Sequence, residues 1–357
     1  MTPGLPETPD GGLPQGRDFR PPWPLRSGHI QTMLSSSGVR RTLLPHAART
    51  VQEHAEPVVV DGGDGVRLTG AYTPCGNGDA PARGLAVLFH GWEGSLDSTY
   101  VLQTGSRLLA AGWDVFRLNF RDHGDSHSLN EALFHSCRID EVVHALGDIA
   151  RRWPTRPLAV AGFSLGGNFA LRAALRAPAA GLPLAYALAV CPIIDPAEGL
   201  FSLEEQAPWF YQAYFMHKWR RSLQAKQAAF PQQQYFELAE LKQSLRGLTE
   251  SLVLRHTDFK SLENYLDGYS VAGAALTRLQ IPATILTARD DPVIPVGAFE
   301  KLQLPPCVEL DIARYGGHCG FIRGFGMTSF TDDYIAARFN AIADGTFAVG
   351  TGLTTAA

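Results

Sequence analysis

The chain has 357 residues, 45% of them apolar and 18% charged, enough for one large α/β domain or two smaller ones with a sizeable core. A formal net charge of −4 leaves no general basic surface to hold a phosphate backbone, which argues against nucleic acid as a partner. The five cysteines (Cys75, Cys137, Cys191, Cys307 and Cys319) are odd in number, widely spread and form no CxxC pair. Reduced thiols in a cytoplasm fit them better than a disulfide framework or a structural zinc site.

The opening stretch "MTPGLPETPDGGLPQGRDF" has neither the cationic start nor the apolar core of a signal peptide. No apolar run is long enough to span a bilayer. The expected location is cytoplasmic, with peripheral membrane contact left open. Residues 1–18 are rich in Pro and Gly and are expected to be a flexible lead. The weakly patterned tail, 344–357, is expected to be loose as well.

Between these ends, "VRLTGAYT" (66–73) alternates like a half-buried strand. "LAVLFHG" (85–91), "DVFRLNF" (114–120), "LAVAGFS" (158–164), "AYALAV" (185–190), "ATILTARD" (283–290) and "CVELDIARY" (307–315) are short apolar runs. Such runs read as strands buried on both faces of a parallel sheet. Helical patterns at 99–112 and 136–153 separate them, which implies right-handed βαβ units in a doubly wound sheet. Residues 198–272 break the rhythm with Gln, Leu and aromatic residues. They are expected to be a helical cap over the C-terminal strand ends, where α/β folds bind ligands. The core is then 19–197 and 273–343.

The strongest chemical signal is Gly162-Phe163-Ser164-Leu165-Gly166, a G-x-S-x-G pattern between an apolar strand and a helical run. A turn that sharp strains the serine backbone and has no room for Cβ atoms beside it. The helix it opens favours developing negative charge. A serine hydroxyl needs a base. Of eleven histidines, His318 in "RYGGHCGF" lies just past the strand at 307–315. "TARDDPVIP" offers Asp290 and Asp291 at another strand end as the carboxylate that orients the base. Asp291 is the first choice, from its spacing to Pro295, and Asp290 the reserve. An oxyanion hole would draw on the backbone N–H of Leu165 and of Trp92, in the loop that follows "LAVLFHG".

Together these segments resemble the α/β-hydrolase superfamily. "FRPPWPLRSGHIQTM" (19–33), "LFHGWEGSLDSTYV" (88–101), "LNFRDHGDSHS" (118–128), "GFSLGGN" (162–168) and "DFKSLENYLDGYS" (258–270) resemble its YheT-like branch. The resemblance implies an α/β-hydrolase fold, a mostly parallel sheet of about eight strands with a helical cap insertion. It further implies hydrolysis of carboxylic esters of short-chain or monoacylglycerol type, without metal or organic cofactor. Ser164, Asp291 and His318 are then the triad. The chain departs from the branch at Arg121-Asp122, where Arg-Gly is usual, and at His135-Ser136-Cys137, where His-Ser-Gly is usual.

Two features have competing readings. "RDHGDSHS" (121–128) packs Asp122, His123, Asp125 and His127 into six positions. That could be a metal site, but no second ligand cluster supports it, and it reads as scaffold. The aromatic run "WFYQAYFMHKW" (209–219) could line an acyl pocket or touch a membrane, or could simply pack the cap. The expected partner is a small-molecule or lipid ester, with no obligate protein partner. An acyltransferase or thioesterase would use the same triad, and a non-catalytic binding protein could use the same fold.

Overall fold

The computed structural model describes residues 12–43, 46–76, 81–348 and 354–355. Among the described residues, nine strands form one sheet: β1 (Glu56–Asp61), β2 (Arg67–Thr73), β3 (Leu85–Phe89), β4 (Asp114–Leu118), β5 (Leu158–Phe163), β6 (Leu184–Val190), β7 (Ala283–Ala288), β8 (Val308–Ala313) and the two-residue β9 (Thr354–Thr355). Their order is β1-β2-β4-β3-β5-β6-β7-β8-β9. β2 is antiparallel to both β1 and β4, and every later pairing is parallel.

The helices are α1 (Gly28–Ser35), α2 (Gly38–Thr42), α3 (His46–Glu53), α4 (Thr99–Ala110), α5 (Ile139–Arg152), α6 (Leu165–Arg176), α7 (Pro196–Phe201), α8 (Trp209–Ala229), α9 (Leu245–His256), α10 (Leu262–Gly268), α11 (Val296–Glu300) and α12 (Phe330–Ala343). The central strands are buried at every position, so their two side-chain faces must both be covered. Leu85, Val87 and Phe89 of β3 join a core with residues of α5 and α6. The alternate residues Ala86 and Leu88 join one with residues of α4 and α12. The chain runs from β3 out to β4, then crosses back over β3 to β5. That reversal leaves a crevice at the C-terminal ends of β3 and β5, the usual ligand position in such sheets.

β1 escapes the apolar-run reading because it is an edge strand, with only Val60 fully buried. The turn "GGDG" between it and β2 was its available sequence signal; Gly63, Asp64 and Gly65 all have positive φ. The described part of the expected lead makes contacts with the sheet and α12. Gly16 N–H donates to Asp311 Oδ2 at 2.6 Å, and Arg338 Nη1 donates to the Pro14 carbonyl at 2.8 Å. Residues 1–11 of that lead lie outside the described residues. In the tail, Phe347 packs on Tyr186 with ring centroids 4.9 Å apart, and β9 pairs with β8. The rest of the tail, 349–353 and 356–357, lies outside the described residues.

α7 to α10 follow β6 and precede β7. Lys226 of α8 fixes this helical segment to the sheet side. Its buried ammonium sits 2.8 Å from Asp122 and also donates to the carbonyls of Asn130 and Ala132. Among the described residues, no helix is long and apolar enough to cross a membrane, and Cys137, Cys191, Cys307 and Cys319 are free thiols.

Candidate active site

The chain passes from β5 into α6 through Ser164, whose φ is 54° and ψ −118°. A non-glycine residue there is strained, and such strain collects at functional positions. The glycines of the motif follow from crowding. A Cβ on Gly162 would stand 2.1 Å from the Gly166 carbonyl oxygen, and one on Gly166 would stand 2.4 Å from that of His90. No larger residue fits at either place without moving backbone.

His318 is brought to this turn from the loop after β8. Its Nε2 lies 2.9 Å from Ser164 Oγ and its Nδ1 lies 2.8 Å from Asp291 Oδ2. Asp291 is itself held fast, because Oδ1 accepts the N–H groups of Val293 and Ile294 at 2.8 and 3.0 Å. Asp290 does not reach the imidazole. Its Oδ1 accepts Gly317 N–H at 2.9 Å, while Oδ2 is buried without a partner. Burial pushes the Asp290 carboxyl up to about 6.

The two influences on His318 oppose each other. Burial is the largest and disfavours the imidazolium. The Asp291 charge, the Cys319 sulfur and the hydrogen bond to Asp291 act together in the other direction and raise the group to about 9.

The second crevice wall is the loop after β3. His90 braces it: Nδ1 lies 2.7 Å from the Gly91 oxygen, and Nε2 accepts Phe120 N–H at 3.2 Å. Burial lowers His90 to about 4, so the ring stays neutral and can accept. Gly91 N–H donates to Tyr100 Oη at 2.9 Å, and Glu93 N–H to His123 Nε2 at 3.2 Å. The intervening Trp92 amide and the Leu165 amide at the start of α6 enter no turn or cap hydrogen bond.

The groups of "RDHGDSHS" diverge rather than converge. Arg121 clasps Glu141 with its Nε and Nη2, at 2.6 to 3.1 Å. Asp122 holds Lys226, His123 Nδ1 faces the Arg121 oxygen at 2.7 Å, and His127 Nε2 faces Ser222 Oγ at 2.9 Å. The stretch is a brace between the β3 loop and α8.

Sequence reasoning missed the residues that hold His318 from the other side. Thr32 Oγ1 accepts His318 N–H at 2.8 Å. Gln31 Oε1 accepts Ile322 N–H at 2.6 Å, and its amide donates to the Leu25 carbonyl at 2.7 Å. A Cβ on Gly28 would meet the Asp290 carbonyl oxygen at 2.0 Å. The "GHIQT" signature was visible, but its partners lie nearly 300 positions away and only the fold reveals them.

Two cavities meet at Ser164. One, of about 120 Å³, is mainly apolar and is lined by Leu200, Leu203, Phe215, Trp219 and Leu252 from the helical segment, together with His135 from the sheet side. The other, of about 880 Å³, is wider and more polar. Its lining includes Arg41, Glu93, Tyr100, Lys218, His318 and Cys319. The aromatic run of α8 is therefore divided. Phe215 and Trp219 pack on Trp92 at 5.6 and 5.4 Å between ring centroids, while Trp209 and Tyr214 are exposed.

The crossover sheet, the strained serine turn after β5 and the loops converging on it define an α/β hydrolase. The alpha/beta hydrolase fold family matches residues 86–325. The chain is 29% identical over 300 residues to YheT of Escherichia coli (strain K12), named as an esterase, covering 83% of this chain and 84% of that one. It is 24% identical over 264 residues to the pimeloyl-[acyl-carrier protein] methyl ester esterase of Nitrosomonas europaea, covering 72% and 94%. Among solved structures, 2,6-dihydroxy-pseudo-oxynicotine hydrolase superposes with a TM-score of 0.56 at 15% identity, covering 91% of this chain and 86% of that one; at that identity the likeness is one of fold. The chain belongs to the α/β-hydrolase family and is YheT-like.

Proposed function

We propose that the protein is a serine carboxylic-ester hydrolase acting through Ser164, His318 and Asp291. The observation that carries this reading is the unbroken chain from Ser164 Oγ through His318 to Asp291, at 2.9 and 2.8 Å, on a strained elbow. Ser164 Oγ attacks the ester carbonyl while His318 Nε2 takes its proton. The tetrahedral oxyanion receives the unengaged amides of Trp92 and Leu165. His318 then protonates the departing alkoxide, and water clears the acyl-enzyme by the same route. Asp291 holds the imidazole orientation and stabilises its cation, and no step calls on a metal or an organic cofactor. The esterase names of two relatives support the reaction type.

The two cavities support an assignment of the two ends of the ester. A space of about 120 Å³ is close to the ~150 Å³ that holds a benzene ring, which suits a short acyl chain. The wider polar cavity takes the alcohol. α7 to α10 act as the cap whose side chains close the acyl space. An acyltransferase or thioesterase would need the same residues and differs only in acceptor or leaving group. Product analysis with competing alcohols and acyl-thioesters separates these.

Ser164→Ala is expected to abolish hydrolysis of short p-nitrophenyl esters and labelling by a fluorophosphonate probe, with an unchanged circular dichroism spectrum. Full hydrolysis by that variant would reject the assignment.

A further inference from the structure

Two sulfurs stand beside the imidazole. Cys191 follows β6, and Cys319 directly follows His318 in the chain. The Cys319 amide donates to Cys191 Sγ at 3.4 Å, Cys191 Sγ donates to the Gly317 carbonyl at 3.6 Å, and Cys319 Sγ donates to the Val190 carbonyl at 3.6 Å. One ligand-capable atom from each of Cys191, His318 and Cys319 lies within 4.8 Å of the other two, and all three residues are buried. Among the described residues this is the one group of three such side chains that converges.

We propose that Cys191, Cys319 and His318 form an inhibitory site for a thiophilic divalent cation, Zn²⁺ or Cd²⁺. Two sulfurs and one imidazole nitrogen are a donor set that such cations favour. Tetrahedral zinc with Zn–S bonds of about 2.3 Å places its sulfurs about 3.8 Å apart. The cluster therefore needs to contract by no more than about 1 Å, which side-chain rotation can supply. Binding releases one proton from each thiol to solvent, and a further one from His318 where its ring is protonated, so a dication meets two thiolates and a neutral imidazole and the ligand set is left neutral. That is the condition a dry environment tolerates. The wide cavity, lined by both His318 and Cys319, supplies the entry path and leaves a fourth position for water.

Inhibition follows from the bonding of the imidazole, and this half of the proposal rests on the hydrolase reading. Nδ1 is spent on Asp291 and Nε2 on Ser164. A cation at Nε2 takes the lone pair that accepts from Ser164, and one at Nδ1 displaces the proton given to Asp291, so either breaks one link between serine, histidine and carboxylate. The cation acts here as an inhibitor that occupies the base, not as a cofactor.

The test titrates Cd²⁺ into the full-length protein in thiol-free buffer. It follows the ultraviolet cadmium–thiolate charge-transfer band together with p-nitrophenyl ester hydrolysis. The band is expected to saturate at one equivalent as activity falls at least about tenfold, and EDTA abolishes the band and restores the activity. Cys191→Ala keeps its hydrolysis without cation and needs at least about tenfold more Cd²⁺ for inhibition, as expected for loss of a ligand, and Cys319→Ala, measured against its own cation-free rate, needs a similar increase. Ser164→Ala, inactive, still develops the band. Absence of the band, or alanine variants that titrate like the wild type, overturns the site. Inhibition reversed by dithiothreitol but not by EDTA overturns it too, since it marks a disulfide. A saturating band in a protein that hydrolyses no ester upholds the site and removes the hydrolase reading instead.

Discussion

Thr32 Oγ1 accepts the backbone N–H of His318 at 2.8 Å, a bond between residues 286 positions apart. It ties α1 to the loop that presents the imidazole. Thr32 Oγ1 also donates to the Gly28 carbonyl at 2.7 Å, so the hydroxyl is fixed in direction. Thr32→Val keeps the shape and removes the acceptor. A lost hydrogen bond of about 1 to 1.5 kcal/mol, felt in the orientation of the base, corresponds to about a tenfold fall in kcat. The expected result is that loss with KM nearly constant and thermal stability lowered by only a few degrees. Unchanged kcat in steady-state assays would show that the loop needs no such tether.

The neighbouring aspartates give a sharper contrast. Asp291→Asn leaves the Val293 and Ile294 amides an acceptor but offers His318 the wrong hydrogen-bond partner. The comparable change in serine proteases costs about 10⁴ in kcat, and a loss of that order is expected here. Asp290→Asn alters a carboxyl whose Oδ2 has no partner; it is expected to keep activity within about threefold, a change of under 1 kcal/mol. Parallel kcat measurements on the two variants check the choice, and equal losses would contradict it.

Much of this was legible in the sequence, and what was not has physical reasons. The elbow could be read because strand, glycines, serine and helix are contiguous, so local sterics decide the conformation. The six buried strands could be read because both faces demand apolar residues. Asp291 was preferred to Asp290 on its spacing to Pro295 alone, since adjacent residues at a strand end point in different directions only once the turn is set. The Asp291 bonds to Val293 and Ile294 set it. Thr32, Gln31 and Lys226 were silent because their partners are far along the chain. Residues 12–18 looked loose by composition, yet Gly16 is buried against Asp311.

His318 also predicts a pH profile. In the proposed mechanism His318 must be neutral to accept the serine proton, and the group is raised to about 9. Below that pH the imidazolium form dominates, so kcat/KM is expected to climb as pH rises. Its apparent pKa should lie above the ordinary histidine value of about 6.5. Cys319 contributes to the upward shift, so Cys319→Ala should move the limb to lower pH while the alkaline plateau stays. A limb at or below about 6.5 in the wild type, from pH–rate measurements with a neutral substrate, would contradict this balance of charges.

The cavity proposed for the acyl chain supplies the last expectation. Leu203 lines it but is only partly buried, so Leu203→Ala should destabilise the fold by less than the 2 to 5 kcal/mol, roughly, of a core leucine truncation. The space released admits additional methylenes, each worth about 0.8 kcal/mol when buried. In graded p-nitrophenyl esters the variant should favour chains one or two carbons longer than the wild-type optimum. Its gain in kcat/KM relative to wild type should approach fourfold per added methylene, the rate equivalent of that energy. Acetate, which does not reach the wall, should be hydrolysed as before. A chain-length optimum that stays where it was would place the acyl group in the wider cavity and reverse the proposed orientation of the ester.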